Sequence, residues 1–437
     1  MANNSNNKKK SSSSKYQKKA VKTAKKMAKK NPKAFLILVL VLIILVGAGL
    51  AVYFFFLKDR LDGNNATSSS EPESSLVEHS SSEEKGEHQH ADYNPKIETP
   101  SGISINFLEF GNHNTGDCTF IKAGDVDILI DAGSKNTNVD TLKTFINKYC
   151  EDGKLEYVIA THGHEDHIAG FYDESGRTGI FNTYKIGTLI DFSYTTNDMT
   201  KTTTKVGKYA RDRNARIESK DIEHHYTAKD CITGENGGQK EYVINDYVKM
   251  TILDHKFYYV EPDPENTKKD KEGHTLDENN YSVCCLFTHN DQNHYLFTGD
   301  LEKEGEESLV ELNPTLPHVQ LFKGGHHGSK TSNTETLLSV ITPEVVCICC
   351  CAGNNEYTDA IDNQFPTQTA INNIAKYTEY IYVTTVTTDG EKGFTSMNGN
   401  ICFKCENGKD YTVAGSNNSV ILKDTEWFKS NRTWPSA

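Results

Sequence analysis

The stretch Thr161-His162-Gly163-His164-Glu165-Asp166-His167 is the part of this chain best equipped for chemistry. Four side chains able to hold a metal ion, His162, His164, Asp166 and His167, fall within six residues. They follow the apolar run Tyr157-Val158-Ile159-Ala160, which reads as a short buried strand. A loop leaving a strand end can curl such side chains toward one point. His162 and His164, two apart, can face one ion, while Asp166 and His167 turn to a second about 3.5–4 Å away. Nitrogen and oxygen donors favour zinc, with manganese or iron as alternatives. Isolated histidines are often structural, but three with an aspartate at this spacing rarely arise by accident.

His162-Gly163-His164-Glu165-Asp166-His167 resembles the HxHxDH signature of the metallo-β-lactamase fold superfamily. Within it, the likeness is to the hydrolase domain of the competence protein ComEC and its free-standing relatives. The resemblance spans roughly residues 103–415 and implies an α/β fold, the αββα four-layer sandwich, with two divalent metal ions. Thr298-Gly299-Asp300 resembles the segment that supplies the bridging carboxylate, so Asp300 is expected to touch both ions. Gly325-His326-His327-Gly328-Ser329 resembles the family's GHHGS segment. It implies that His327, which precedes glycine, completes the second ion's shell, while His326 meets substrate or assists proton transfer. Lys323 falls where such proteins often carry lysine, and joins Asp166 and His326 as a catalytic candidate. Phe110-Gly111 to Gly116-Asp117 resembles the VGQGD stretch, interrupted here by an insert. Asp117 and Asp131 are thus expected to support the ligands, although aspartates after strands also suit plain turns.

One departure concerns the first ion. Metal-dependent β-lactamases place a third histidine between the histidine loop and the bridging acid. His224, His225, His255 and His274 lie in that interval without a matching context. Asn279-Asn280-Tyr281-Ser282 resembles an Asn-rich segment of the ComEC-like branch, which implies that Asn280 approaches the first ion.

These residues need strands to position them. Ile103–Phe110, Cys118–Lys122 and Val126–Asp131 alternate or run apolar as strands, and 140–150 repeats apolar residues at helical spacing. Strands are expected again at 242–244, 248–253, 281–287, 295–300, 319–323, 345–351 and 380–386, with helices at 304–312 and 367–377. Asn400–Lys404 and Tyr411–Val413 suggest a closing hairpin. Between 171 and 241 the pattern weakens, which reads as a crossover carrying a variable insertion over the rim. Pro262–Asn280 reads as a charged loop.

Ahead of this domain, taken as 102–437, the chain changes character. Residues 1–33 hold twelve lysines and no acid, a polar tail with too little apolar surface to pack. Residues 34–57 carry no charge and as a helix span roughly 36 Å, enough to cross a bilayer. A cleaved signal peptide would have a shorter apolar core of about 7–15 residues. The lysines place 1–33 in the cytoplasm and the catalytic domain outside the cell. Residues 58–101, rich in Ser, Glu and His, read as a flexible linker. Twelve lysines in the tail against −13 for the whole chain leave −25 for the remainder. That charge repels phosphate backbones, so no stable nucleic-acid complex is expected. A local pair of cations can still attract one phosphodiester.

Eleven cysteines in an exported chain normally suggest disulfides. Here the number is odd, and Cys347, Cys349, Cys350 and Cys351 crowd one strand, where neighbours rarely bridge. They read as small buried apolar residues. The expectation is a membrane-anchored, extracellular hydrolase that cleaves phosphodiesters with a hydroxide made on two metal ions. A choline-phosphate or other small ester is the alternative substrate to DNA. A β-lactam is disfavoured by the missing third histidine, and a non-catalytic cell-surface binding module is the reading from another class. A channel of many spans is not seen, so DNA import by this chain alone is not expected.

Overall fold

The computed structural model describes residues 92–111, 116–355, 357–387, 394–395 and 399–436. The basic tail at 1–33, the apolar stretch at 34–57 and nearly all of the linker therefore lie outside the described residues. Among the described residues, no helix is long and apolar enough to cross a membrane.

Two eight-stranded sheets form the frame. The first is built mainly from the N-terminal half: β1 (Ile103–Phe107), β2 (Thr119–Ala123), β3 (Val126–Ile130), β4 (Lys154–Ala160), β5 (Lys185–Asp191) and β6 (Ile222–Thr227). The second takes β7 (Glu241–Val243), β8 (Val248–Leu253), β11 (Cys284–His289), β12 (Asn293–Phe297), β13 (Leu321–Lys323), β14 (Val345–Ala352), β15 (Ile381–Thr387) and β16 (Phe394–Thr395). A separate hairpin pairs β9 (Pro262–Asp263) with β10 (Asn266–Asp270). The closing hairpin, β17 (Ile401–Cys405) and β18 (Tyr411–Gly415), returns to the first sheet, where β17 lies antiparallel to β1.

The four layers follow from period-two alternation. In β14, Cys347 and Cys349 join the core between the sheets, whereas Val346, Ile348 and Cys350 face the opposite side. There they pack with α5 (Lys303–Leu312), α6 (Glu335–Ile341) and α7 (Gln368–Ile374), through Leu309, Leu337, Leu338, Ile371 and Ile374. The outer face of the first sheet likewise holds α1 (Val139–Tyr149) and α3 (Lys205–Ser219), through Leu142, Ile146, Val206 and Tyr209. Each sheet thus has one face on its partner and one on helices, which is why so many strands read as continuous apolar runs. All eleven cysteines are buried, and none is in a disulfide.

The stretch 171–241 departs from expectation. It is regular structure: β5, α3, β6 and a short α4 (Ala228–Thr233) complete the first sheet, with β4, β5 and β6 parallel. The helical stripe was hard to see because α3 buries little more than Val206, Tyr209 and Ala210 among many charges. The expected charged loop at 262–280 likewise contains the β9–β10 hairpin.

Candidate metal centre

Parallel strands in both sheets end at one edge, and the ligand candidates sit there. Asp131 follows β3, and the histidine loop follows β4 and opens α2 (Glu165–Ile168). Asp300 follows β12, and the double histidine follows β13. Asp117 precedes β2, whose antiparallel course brings its start to the same edge. Thr161 joins the halves, its carbonyl accepting the Val283 amide at 2.9 Å. Gly299 makes the turn before Asp300 at a φ of 54°, and a side chain there would strike Ser282 and Thr161.

Donor atoms of His162, His167 and Asp300 lie within 4.8 Å of one another, as do those of Asp166, His167 and His327. His167 Nε2 is 3.1 Å from Asp300 Oδ2, and His327 Nε2 is 3.5 Å from the same oxygen and 3.3 Å from Asp166 Oδ2. His164 stands at the edge, its Nδ1 3.1 Å from His162 Nε2. The supports are equally specific. Asp131 accepts from the Thr161 amide at 2.8 Å and its hydroxyl at 2.7 Å, and lies 2.7 Å from His167 Nδ1. His327 Nδ1 is 2.8 Å from the Cys349 carbonyl, so it must donate there, and Nε2 is left facing the cluster.

Lys323, one of the catalytic candidates, is 3% exposed and turns inward to two carboxylates. Its ammonium pairs with Asp117, donates to the Gly299 carbonyl at 3.2 Å and lies 3.6 Å from Asp300. A buried ammonium needs such partners, so Lys323 positions two carboxylates. His326 is only partly buried, with Nδ1 3.1 Å from Thr331 Oγ1 and 3.5 Å from Glu302. Its Nε2 reaches 4.0 Å from Asp300, at the rim rather than within the cluster. Asn280 differs from expectation: its side-chain oxygen accepts the Glu302 amide at 3.2 Å and so orders the turn after Asp300. The four intervening histidines also have other partners. His225 lies against Asp191, His274 against Asp270, His224 stacks with Tyr226, and His255 donates to the Ser282 carbonyl at 2.9 Å.

Sequence reasoning missed four groups. Ser282 accepts the Asp300 amide at 3.1 Å and sits 3.4 Å from His162 Nδ1. Glu278 is buried, with one carboxylate oxygen on the Thr196 amide and hydroxyl and the other against Gly163, where any side chain would collide with it. Glu302 holds His326. Tyr357 donates to Asp166 Oδ2 at 2.8 Å. Ser282 closes the Asn-rich segment that had drawn notice and Glu278 adjoins it, but nothing in the sequence around Tyr357 marks it.

Burial disfavours charge on all the clustered groups, so neighbouring charges decide their ionisation. Burial pushes the Asp300 carboxyl up, but His167, His327 and His326 outweigh it and hold it well below the usual carboxylate range. Asp166 is held down against burial by His327 and His167, and Asp117 by Lys323 and His327. Conversely, Asp300 and Asp131 hold His167 well above its ordinary value despite burial, and Asp300 and Asp117 push His327 up to about 10. Burial and the imidazoles of His167 and His164 keep His162 well below its usual range. The cluster therefore attracts positive charge. His167 Nε2, His327 Nε2 and Asp300 Oδ1 are buried without a hydrogen-bond partner. An all-nitrogen-and-oxygen set of this kind fits divalent zinc or manganese.

Residues 112–180 match the model of the metallo-beta-lactamase superfamily. With the two sheets and outer helices, that match decides the fold. The chain carries a metallo-β-lactamase fold. It is similar to Recombination protein 2 of Haemophilus influenzae, 38% identical over 74 residues, which are 17% of this chain and 9% of that protein. It is also similar to ComE operon protein 3 of Bacillus subtilis, 32% identical over 110 residues, 25% of this chain and 12% of that one. The aligned segments thus span about a tenth of those relatives. Among solved structures, the metallo-beta-lactamase fold protein YhfI from Bacillus subtilis is 10% identical, with a TM-score of 0.36, covering 66% of this chain and 98% of that one. Igni18, a metallo hydrolase from Ignicoccus hospitalis, is 12% identical with a TM-score of 0.33, covering 69% and 98%.

Proposed function

We propose that this chain is a metal-dependent hydrolase of phosphodiesters. The observation that carries the reading is the convergence of Asp166, His167, Asp300 and His327 from both halves of the fold onto one buried, cation-seeking point. His162 and His164 would hold one ion, Asp166, His167 and His327 the other, and Asp300 would reach both. Two divalent ions there supply an acidified water and neutralise charge on a phosphoryl oxygen. The chain's own residues do the rest. Asp131 and the Cys349 carbonyl fix the tautomers of His167 and His327, and Lys323 keeps Asp117 ionised. His326, steadied by Glu302 and Thr331 at the rim, would pass a proton to the leaving oxygen.

The β9–β10 hairpin carries Lys268, Lys269 and Lys271, and is tied to the loop after β5 by the Thr267 hydroxyl donating to the Thr196 carbonyl at 2.7 Å. Thr195 and Glu278 connect that loop to Gly163. The partial likeness to Recombination protein 2 and ComE operon protein 3 favours a nucleic-acid phosphodiester, and the charge of −25 beyond the tail favours a small ester.

The test is turnover by the full chain, purified in detergent, of DNA, dinucleotides, choline-phosphate esters and β-lactams with zinc or manganese. Metal-dependent cleavage of a phosphodiester, abolished in Asp300→Ala together with loss of bound metal, is expected. Stoichiometric metal without any turnover would instead mark a binding module. We further propose that residues 34–57 anchor the chain in the cell membrane, with the lysine tail inside and the catalytic domain outside. Protease added to intact cells should then digest residues beyond Leu57, and a protected C-terminal tag would overturn that orientation.

A further inference from the structure

Beside the metal centre stands an aromatic wall that the chemistry above does not use. The Tyr357 ring stacks on His327 with centroids 5.7 Å apart and planes 21° from parallel. Phe365 backs both, 5.1 Å from Tyr357 and 5.8 Å from His327, and also lies 5.8 Å from His326. Tyr357 is nevertheless 45% exposed, and its hydroxyl reaches Asp166. A large aromatic ring open to solvent next to buried ligands is costly to leave uncovered.

The loop that presents it is built rather than loose. Arg432, itself buried, donates to the carbonyls of Ile361 at 3.2 Å, Gln364 at 2.9 Å and Pro366 at 3.1 Å. Thr367 ties the loop's end to the double-histidine turn, its amide donating to the Gly328 carbonyl at 2.9 Å. Lys330 donates to Asn363 at 2.7 Å. Phe365 is therefore held in place, and the Tyr357 ring rests against it and against His327.

We propose that Tyr357, backed by Phe365, is a stacking platform for one nucleobase of the phosphodiester being cleaved. This rests on the phosphodiesterase reading above and narrows it to nucleotide substrates. A flat, parallel stack with an exposed outer ring matches the π-face that every base offers. Asp359 and Asp362, exposed on the same loop, would repel the backbone of a long duplex. The subsite therefore takes a single unstacked base, as in a short or single-stranded substrate, and reads no particular sequence.

The experiment compares a dinucleotide with its abasic counterpart, which has the same phosphodiester but no bases, using the metal-loaded full chain. Wild type should show a KM about 5- to 100-fold lower for the base-bearing substrate, the range set by one stacked base. Tyr357→Phe should keep that preference, because the ring remains, while Tyr357→Leu should abolish it; both variants lose the hydroxyl that reaches Asp166, so the two should turn over the abasic substrate equally. Binding of a nucleoside monophosphate should weaken in Tyr357→Leu by the same factor. Equal KM values for the two substrates in wild type, or a preference that survives in Tyr357→Leu, would overturn the platform while leaving the phosphodiesterase reading intact. A Tyr357-dependent preference for a choline-phosphate ester would replace the base by a quaternary ammonium group. Absence of turnover on either dinucleotide would overturn the platform, and absence of turnover on the choline-phosphate ester as well would defeat the phosphodiesterase reading.

Discussion

Asp131→Asn tests whether the cluster is organised by charge or merely by shape. Asp131 is buried at the end of β3 with a φ of 57°, a backbone conformation that asparagine tolerates well. The substitution keeps the volume and leaves one oxygen able to accept the Thr161 amide. The new amide group, however, faces His167 Nδ1 and the Thr161 hydroxyl, each of which now meets a carboxylate oxygen at 2.7 Å. The hydroxyl can rotate and accept. The imidazole can only accept by placing its proton on Nε2, the atom 3.1 Å from Asp300 that should hold a metal ion. The wild-type contact is charge-assisted and contributes about 1.5–3 kcal/mol, so its loss should weaken metal binding about 10- to 100-fold. Competition with a chromophoric chelator measures this directly, with near-ultraviolet circular dichroism to show that the fold is kept. An affinity within twofold of wild type in a folded variant would show that Asp131 does not govern His167.

The double histidine divides by the same logic. His327→Ala should lose bound metal, whereas His326→Ala should keep its metal and lose kcat/KM by about 10²- to 10⁴-fold; metal analysis giving the opposite pattern would exchange the two roles. His255 provides a pH test of stability. Burial lowers its pKa to about 4 from an unfolded value near 6.5, so the unfolded chain binds the extra proton first, and stability falls as pH drops from about 6.5 toward 4. At pH 5 the loss is about 2 kcal/mol. Denaturant titrations should therefore show His255→Gln losing less stability than wild type between pH 7 and pH 5, and an equal loss in both would reject the assignment.

The histidine loop was legible because its ligands are consecutive and follow an apolar strand. Asp300 and His327 were named through the likeness of Thr298-Gly299-Asp300 and Gly325-His326-His327-Gly328-Ser329 to family segments, and the structure brings both beside His167. What could not be read was the cross-talk between distant segments. Asn280 and Ser282 are two residues apart, yet it is Ser282 that touches His162 and the Asp300 amide, while Asn280 turns to Glu302. The direction in which each leaves the short 3₁₀ turn at 278–281 decides this, and no periodicity reports it. The β5–α3–β6 unit was missed because α3 spends its surface on ion pairs, including Lys205 with Glu165 and Arg213 with Asp191. Those pairs satisfy the positive charges locally, which removes α3 as an unpaired basic surface for DNA.

The charge balance at the strand ends connects fold to function. Asp117 and Asp300 flank Lys323, a permanent cation, while Asp131 at the end of β3 and Asp166 in α2 stand at the same edge. A buried charge left without its partner costs about 3–5 kcal/mol, so this edge is stable only where positive charge collects. His167 and His327 take up protons to meet part of that demand, as their raised pKa values show. His167 and His327 would release those protons on holding divalent ions, which would meet the demand more fully. The carboxylates thus make the two halves of the sandwich depend on the ligands held between them. The residues that would do the chemistry are also residues that hold the sheet ends together.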